Sequence, residues 1–491
     1  MNGFRMSLPV VLAALLVLGG CATRPVNPPI TKADLNTGYT FQTRQKHFKN
    51  LDKGNLIILA FSGGGTRAAA FSYGVLEYLR RNEVVAANGT RLRMLDAVDI
   101  ITGVSGGSFT ALAYGLYGDK LFDIYETAFL KRNVQGELVA RAFNPGNWGR
   151  LSSTAWGRSE LAAELYDEIL FHGATFGDLD RGDGPLILAS TTDISNGGRV
   201  VFQQTIFNIF CSDLDAVRLS RAAAASSAVP VVLSPVTINN YGGTCNNTLP
   251  PWVMAFRDSP NPPRPAARAV RELRDAEAYT DSVHHPYIHL VDGGVSDNLG
   301  MRGVLDALNF LEALQDAGLP SPLDHVRRII VFVVNSLSSP PTDWDEKEEP
   351  PDTVKVLLKA AGTPIDHYSY EAVELLKDTA SRWEKARQVR ELAGCSTNKD
   401  SPICAGVRPP AAEIYPIDVS FAQLKDKAER DYLNTLPTSF VLPAEAVDRL
   451  RAAAGKIILE SPEFQRLLKE SGAKIVPSPI GGVPLNSPAA Q

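Results

Sequence analysis

The sequence predicts an α/β protein with a mostly parallel central sheet that helices cover on both faces. Short apolar runs, rich in β-branched residues and bounded by Gly, Pro or Asp, recur along the chain: NLIILAF (55–61), DAVDIITGV (96–104), GPLILAST (184–191), YIHLVD (287–292) and RIIVFVVNS (328–336). Runs of this length and composition are typical of strands. AEIYPIDVSF, nearer the C-terminus, adds a further candidate strand. Because the runs are apolar at nearly every position, both faces should be buried, which favours a parallel sheet between two layers of helices.

The two ends of the chain differ in composition from its middle. Residues 1–20 combine a basic residue with an apolar run that is too short to span a membrane, as is typical of a secretory signal peptide. After it we expect a Pro-rich tether over 21–53, a core over 54–340, a C-terminal extension packed on that core over 341–475, and a disordered tail over 476–491. A separate domain after the Pro-rich, charged stretch 338–352 is the alternative.

Charge and cysteine content narrow the classes of partner and cofactor. The formal net charge is -5 over 491 residues and the basic residues are scattered, so we predict no nucleic-acid partner. Besides Cys21, the chain contains Cys211, Cys245, Cys395 and Cys404, and no spacing among them is that of a zinc or redox motif. An exported chain could join these four in disulfides, with sequence neighbours as the nearest partners, but the pairing stays open from the sequence. No motif demands a metal or a cofactor.

A glycine run follows the first predicted strand. Gly63, Gly64 and Gly65 lie in SGGGTR, directly after NLIILAF and before a helical stretch. Such a run leaves backbone N–H groups at a helix N-terminus able to bind a ligand oxygen, as in an oxyanion hole or a phosphate cradle. It lacks the Lys and Ser or Thr of a Walker loop and the spaced glycines of a dinucleotide fingerprint. A tight strand-to-helix turn is the alternative interpretation.

The second candidate motif surrounds Ser105. GVSGG ends the predicted strand DAVDIITGV and opens the helical stretch GSFTALAYGLYG. This context is typical of a nucleophile elbow, in which Gly103 and Gly107 allow the strained turn that presents the serine hydroxyl. A helix N-terminus at this point favours developing negative charge. The pattern therefore predicts that Ser105 is a nucleophile.

The base for Ser105 is predicted to be Asp292 rather than a histidine. Asp292 ends the strand YIHLVD, and we expect it to share the carboxyl edge of the sheet with Ser105. Partial burial beside a hydroxyl would raise the basicity of this carboxylate enough for a dyad, although capping a turn is the ordinary use of such an Asp. Of the seven histidines, only His367 is left open by its position. Asp297 is the nearest rival carboxylate, with helix capping as its ordinary use.

These motifs together resemble those of a known family. SGGGTR, GVSGG and DGG, in this order and each after a predicted strand, resemble the three signatures of patatin-like phospholipases. The stretches 220–238 and 433–459 are also similar to segments of that family, so the resemblance covers most of 54–470. It implies a Ser105–Asp292 dyad, an oxyanion hole made by the backbone amides of the three glycines Gly63 to Gly65, and Arg67 ordering their loop. It also implies hydrolysis of lipid esters, with phospholipid as the substrate, through an acyl-enzyme and without a cofactor.

A second resemblance concerns the membrane. LGGC, which ends at Cys21, resembles the lipobox of bacterial lipoproteins, in which the chain is cut before the cysteine and the cysteine is acylated. This implies a lipid anchor at Cys21 in a bacterial cell envelope, and Ala22 at the following position implies the outer membrane. An ordinary signal peptide or an uncleaved anchor is the alternative. The stretch AFNPGNWGRLSSTAW (142–156) carries aromatic residues that either contact lipid at a flexible rim or pack on the core.

Two classes of function are consistent with these observations. The first is a membrane-anchored lipid acyl hydrolase acting on phospholipid or lysophospholipid, with a generic esterase or an acyltransferase on the same fold as its variants. The second is a non-catalytic envelope lipoprotein that binds lipid or a protein partner. The joint presence of the glycine loop, Ser105 and Asp292 favours the first.

Overall fold

The computed structural model describes residues 22–49, 54–247, 277–316, 319, 321, 323–342, 344–395, 397, 404 and 408–479. The predicted signal peptide and Cys21 lie outside these residues, as does the predicted tail beyond residue 479. Within the described part, no helix is long and apolar enough to cross a membrane.

The strands form one large sheet and one small sheet. In chain order they are β1 (Asn55–Phe61), β2 (Asn82–Val85), β3 (Arg91–Arg93), β4 (Ile100–Val104), β5 (Leu186–Asp193), β6 (Arg199–Val201), β7 (Val236–Asn239), β8 (Tyr287–Asp292), β9 (Arg328–Asn335), β10 (Glu413–Ser420) and β11 (Lys474–Pro477). The large sheet has the order β10-β9-β1-β4-β5-β8-β7, with β6 also paired with β5. From β10 to β5 all neighbours are parallel, whereas β6, β7 and β8 pair in antiparallel fashion. The mostly parallel sheet predicted from the apolar runs is therefore confirmed.

Helices occupy most of the connections between these strands. In chain order they are α1 (Phe41–Arg44), α2 (Gly65–Arg81), α3 (Gly106–Tyr117), α4 (Leu121–Tyr125), α5 (Val134–Phe143), α6 (Pro145–Leu151), α7 (Arg158–Tyr166), α8 (Phe176–Arg181), α9 (Gln204–Ile209), α10 (Leu219–Ser226), α11 (Gly294–Asp297), α12 (Arg302–Asp316), α13 (Thr353–Leu392), α14 (Lys427–Asn434), α15 (Ala444–Glu460) and α16 (Pro462–Ser471). Every parallel connection within the sheet includes at least one of them, as a parallel sheet requires.

Most predicted strands have the observed bounds or nearly so. β1 and β8 match the runs NLIILAF and YIHLVD residue for residue. The run DAVDIITGV is a strand only from Ile100, because Met94–Ala97 form a short 3-10 turn and the Asp99 carboxylate accepts the Ile57 amide at 2.7 Å. A carboxylate that binds a backbone N–H in this way is typical of the turn before a strand rather than of its interior.

The C-terminal extension packs into the same hydrophobic core as the segment that carries the glycine and serine motifs. Its strand β10 is the edge strand of the large sheet beside β9, and α15 packs against α2. A single hydrophobic cluster contains buried residues from Tyr39 to Leu467. Beyond it, β11 pairs with β2 and ends at Pro477, so this strand includes the first two residues of the predicted tail, 476 and 477.

Two disulfides join cysteines that are neighbours in sequence. Cys211 is bonded to Cys245 with their Cα atoms 5.5 Å apart, and Cys395 is bonded to Cys404 with a Cα separation of 5.4 Å. The first bond lies in the buried region between α9 and the loop after β7, and the second closes a short loop after α13. The cysteines thus crosslink the chain locally, at a distance from the glycine and serine motifs in sequence.

Candidate active site

Ser105 lies at the sharp turn between β4 and α3. Its backbone has φ 48° and ψ -120°, a strained region for a residue with a side chain. The glycines around it have no room for a Cβ: at Gly103 it would lie 2.8 Å from the Ser108 Cα, at Gly106 2.0 Å from the Gly65 carbonyl oxygen, and at Gly107 2.6 Å from that of Ser62. GVSGG therefore allows the serine turn to press directly against the glycine loop. The serine itself is buried, with 6% of its surface exposed.

A second serine, Ser226 at the end of α10, fixes the position of this turn. The Ser105 amide donates to the Ser226 hydroxyl at 2.9 Å, and the Ser108 hydroxyl lies 2.7 Å from the same oxygen. The Ser226 hydroxyl donates in turn to the Ser190 carbonyl at 2.7 Å. All of these groups are buried. The sequence reasoning missed Ser226; its only signal was a serine pair ending the alanine-rich stretch of α10.

Asp292 reaches Ser105 by a route different from the predicted one. β8 is antiparallel to β5, so Asp292 does not end a parallel strand, although it lies at the expected carboxyl edge beside the serine turn. Instead, β5 extends beyond the end of β4. Val104, the last residue of β4, pairs with Ser190, and β5 continues for three further residues past Ser190. β8 runs back along this extension and ends with Asp292 opposite Thr191, level with the serine turn. The Asp292 carboxylate thus lies at the C-terminal edge of the parallel strands although its own strand runs antiparallel to them.

The Asp292 carboxylate is buried, and the Ser105 hydroxyl lies beside it. One carboxylate oxygen also accepts the Gly294 amide at 2.8 Å. Burial raises the pKa of Asp292 to about 6, against the lowering effects of the Gly294 amide and the Ser105 hydroxyl. The carboxylate is therefore mostly ionised at neutral pH, yet it is a stronger base than an ordinary Asp. The Gly293 of DGG is needed because a Cβ there would lie 2.3 Å from the Ser190 carbonyl oxygen.

Neither rival base contacts this pair. All seven histidines are among the described residues, and no hydrogen bond joins any of them to either member of the pair. His367 lies on α13 with an exposed side chain. The Asp297 carboxylate accepts the amides of Met301 and Arg302 at 3.1 and 2.8 Å, which caps the start of α12. Asp297 therefore has the capping role that its position suggested.

The glycine loop differs from its prediction at Gly63. The Gly63 amide donates to the Asn298 carbonyl at 2.9 Å, so it is not available to a ligand, and the prediction that it belongs to an oxyanion hole is wrong. The turn after Asp292, which carries Asn298, covers this end of the loop. The Gly64 and Gly65 amides have no acceptor among the described residues. Both have positive φ, at 139° and 61°, which a residue with a side chain would adopt only under strain.

Arg67 ties this loop to the C-terminal extension. Its buried guanidinium donates to the carbonyls of Ser336 and Leu436, both at 2.7 Å, and to the Thr438 hydroxyl at 3.0 Å. Burial lowers the pKa of Arg67 to about 10, so it stays charged at neutral pH. The Thr66 amide also donates to the carbonyl of Ser439 at 2.8 Å. Residues 436–439, which we call the C-terminal strap, therefore hold the glycine loop against the end of β9.

Replacing Arg67 with Lys should loosen the loop even though the charge is kept. One ammonium group cannot satisfy acceptors on both β9 and the strap, and each lost hydrogen bond to a charged group costs roughly 1.5 to 3 kcal/mol. We expect Arg67→Lys to lower the free energy of unfolding by about 2 to 4 kcal/mol and to reduce kcat more than it changes KM. Urea unfolding and steady-state kinetics measure the two effects. Arg91→Lys, at a side chain that is 61% exposed, is the matched control and should change neither.

Comparison with known proteins identifies the family. The family model for patatin-like phospholipases matches residues 59–305, about half of the chain. The chain belongs to the patatin-like phospholipase family. The mostly parallel sheet, its flanking helices and the helical C-terminal region agree with the patatin fold. The matched range contains the glycine loop, Ser105 and Asp292, whereas the C-terminal strap lies beyond it.

Solved structures of one mammalian enzyme are also similar to the chain. They are of human GIVD cytosolic phospholipase A2, both alone and in complex with methyl gamma-linolenyl fluorophosphonate, at 13% sequence identity. The TM-scores are 0.36 and 0.38, and in both cases 96% of this chain is covered and 65% of the human one. The chain thus spans slightly less than two thirds of that enzyme's length. A search of curated proteins found no significant match.

Proposed function

We propose that the chain hydrolyses carboxylic ester bonds of membrane phospholipids through a Ser105–Asp292 dyad. The observation that supports this most strongly is a buried Asp292 carboxylate, with its pKa raised to about 6, beside the hydroxyl of Ser105 in its strained turn. A carboxylate of this basicity is matched to taking a proton from a nucleophile near neutral pH. The serine turn packs against the glycine loop, since a Cβ on Gly106 would lie 2.0 Å from the Gly65 carbonyl oxygen, and this loop begins α2, whose N-terminus favours negative charge.

The chemistry proceeds in two halves. In the first, Asp292 takes the hydroxyl proton as Ser105 attacks the ester carbonyl, and the oxyanion forms against the Gly64 and Gly65 amides. The proton passes to the leaving alcohol, which departs and leaves an acyl group on the serine oxygen. In the second, Asp292 takes a proton from water as the water attacks the acyl-enzyme, and it returns this proton to the Ser105 oxygen when the bond to the acyl group breaks and the fatty acid leaves. Each amide donor contributes roughly 2.7 to 4 kcal/mol of transition-state stabilisation by analogy with measured oxyanion holes.

Release of fatty acid is the experiment that tests this function. The chain from residue 22 to 491 keeps every residue that the structure describes, so we would assay it on phospholipid mixed micelles with a chelator present and identify the products by mass spectrometry. Release of one fatty acid per lysophospholipid formed would support the proposal. An inert chain that also fails to react with a fluorophosphonate would contradict it and favour a non-catalytic lipoprotein that binds lipid or a protein partner.

We further propose that Cys21 carries the lipid anchor and holds the enzyme on the envelope membrane, on the outer membrane in particular. Two observations support a lipid-facing surface beside this point. The Ala22 carbonyl accepts the Ser153 hydroxyl at 2.8 Å, which places the residue after Cys21 at the end of the α5–α6 helix pair. On that pair, Phe143 is 74% exposed and Trp148 is 56% exposed. Trp156, in contrast, is buried beneath the Arg150 guanidinium, so the aromatic residues of 142–156 divide between surface and core.

Vesicle binding tests this orientation without the anchor. Phe143→Ser with Trp148→Ser should weaken the partitioning of the 22–491 chain into phospholipid vesicles by about tenfold or more, since two exposed aromatic side chains lose apolar contact with lipid. Co-sedimentation with the vesicles measures the partitioning. Leu392→Ser, at the 89% exposed end of α13, removes a comparable apolar side chain and should have no effect. Equal losses in both variants, or none in the double variant, would refute this surface as the docking face.

A further inference from the structure

A cavity of about 530 Å³ lies beside the turn that follows Asp292. Its walls come from the β5–β6 turn, the segment from α11 to α12, and α13. Asn298 links the cavity to the active site, since it lines the cavity while its carbonyl binds the Gly63 amide. A Cβ placed on Gly63 would lie 2.5 Å from the Asn298 side-chain oxygen and 3.4 Å from the Ser105 Cβ. The Asn298 side chain therefore lies between the cavity and the Ser105 turn.

Arg199 brings a positive charge into this cavity. Its Nε is buried and has no hydrogen-bond partner, and no ion pair joins the side chain to a described carboxylate. The guanidinium lies against the backbone of Gly303, where a Cβ would be 3.0 Å from Nη2 and 3.1 Å from Nη1. A glycine at the start of α12 thus makes room for it. A partly buried guanidinium of this kind retains donors for a planar or tetrahedral anion.

The other charged groups of the cavity do not neutralise Arg199. The Asp297 carboxylate is engaged with the backbone amides at the start of α12, and Glu371 is exposed on α13. Arg302 adds a second guanidinium, 6.0 Å from the centre of the Tyr368 ring. The cavity is therefore lined by two arginines, and one of its two carboxylates already accepts hydrogen bonds from the protein backbone.

We propose that this cavity binds the phosphate of the phospholipid headgroup, with Arg199 as its principal ligand. The inference rests on the proposed function and deepens it, because it makes the headgroup phosphate a determinant of substrate choice. Guanidinium groups match phosphate oxygens in both charge and geometry. A glycerophospholipid carries its phosphate and its ester carbonyls on one glycerol unit, so a phosphate held in the cavity directs an ester towards Ser105. Neutral glycerides lack this group.

Arg199→Gln tests the proposal because it should impair hydrolysis of a phospholipid but not of an ester that lacks a phosphate. We expect the variant to raise KM for phosphatidylcholine in mixed micelles about tenfold, while kcat/KM for a water-soluble p-nitrophenyl ester stays within about twofold. Arg199→Lys keeps a point charge without the fork of donors and should give an intermediate KM. Arg181→Gln is the matched control, since it removes an arginine charge at a side chain that is 72% exposed on α8. It should leave both substrates unaffected.

Several results would overturn this inference. Equal losses on both substrates in Arg199→Gln would make the residue structural, and an unchanged phosphatidylcholine KM would rule out the headgroup contact. If inorganic phosphate raises the thermal midpoint of the wild-type chain but not of Arg199→Gln while that KM is unchanged, the cavity takes free phosphate rather than the lipid. A wild-type chain that cleaves neither ester would contradict the proposed function itself. That failure is distinguishable, since in the other cases the p-nitrophenyl ester is still hydrolysed.

Discussion

Ser105→Ala is expected to reduce fatty-acid release from phospholipid micelles by roughly 10⁴-fold or more, in line with the loss of the nucleophile in other serine hydrolases. Without the hydroxyl no acyl-enzyme can form, and only the Gly64 and Gly65 amides remain to stabilise an attack by water. The fold should persist because Ser105 is held through its backbone amide, which donates to Ser226, rather than through its side chain. Titrated fatty acid measures the rate, and circular dichroism checks the fold.

Ser108→Ala is the matched control for this substitution. Ser108 lies in the same motif, is buried, and has its hydroxyl beside that of Ser226. Its loss should disturb the packing under the serine turn and reduce turnover by no more than about tenfold, since it removes one neutral hydrogen bond. If Ser105→Ala kept more than a tenth of the wild-type rate, or if Ser108→Ala were as damaging, the assignment of the nucleophile would be wrong.

Asp292→Asn is expected to abolish turnover and at the same time to stabilise the protein. The amide cannot accept the proton of Ser105, so we expect a rate loss of about 10³-fold or more. In the wild type the ionised Asp292 carboxylate is buried, and the free-energy cost of burying its charge raises its pKa to about 6. The neutral amide of the variant avoids this cost. Each pKa unit corresponds to about 1.4 kcal/mol, so the variant should gain about 2 to 3 kcal/mol in the free energy of unfolding at pH 7.5. The Gly294 amide keeps its acceptor in the variant.

The stabilisation should depend on pH in a defined direction. Because the folded-state pKa of Asp292 lies above its ordinary value, the wild-type chain carries the full cost of the buried charge above about pH 6. As the pH falls from 6 towards 4, the folded chain takes up a proton and the cost disappears. The advantage of Asp292→Asn should therefore shrink to about half at pH 5. Urea unfolding at pH 7.5 and 5.0 measures it, and a variant less stable than wild type at both values would contradict the buried charge.

Much of the fold could be predicted because the signals are local. The runs that form β1 and β8 are mostly apolar, and Gly, Pro or Asp lies at or near their ends. GVSGG was recognisable because the strained turn at Ser105 needs small neighbours that stand next to it in sequence. The direction of β8 was not recognisable in this way. Periodicity identifies a strand, but its direction depends on which neighbour it pairs with, here β5 far away along the chain.

The details of the site that the sequence left out all depend on long-range contacts. Whether the Gly63 amide is free is decided by the Asn298 carbonyl, and nothing in SGGGTR reveals that partner. Ser226 and the C-terminal strap act through hydrogen bonds to the Ser105 turn and to Arg67 that span large separations in sequence. Their own sequences are ordinary for a helix end and a loop. A pattern can place a motif on an element, but the partners of its backbone groups follow only from the packed structure.

The measurement that tests the account most directly is peptide mapping of an acid-quenched turnover mixture. The wild-type chain, Asp292→Asn and His367→Asn would each be mixed with phosphatidylcholine, quenched within the first turnovers, digested and analysed by mass spectrometry. We predict a fatty-acyl group on the peptide that contains Ser105 in the wild type and in His367→Asn, and none in Asp292→Asn. An acyl group on another residue, or its loss in His367→Asn with retention in Asp292→Asn, would contradict a dyad of Ser105 and Asp292.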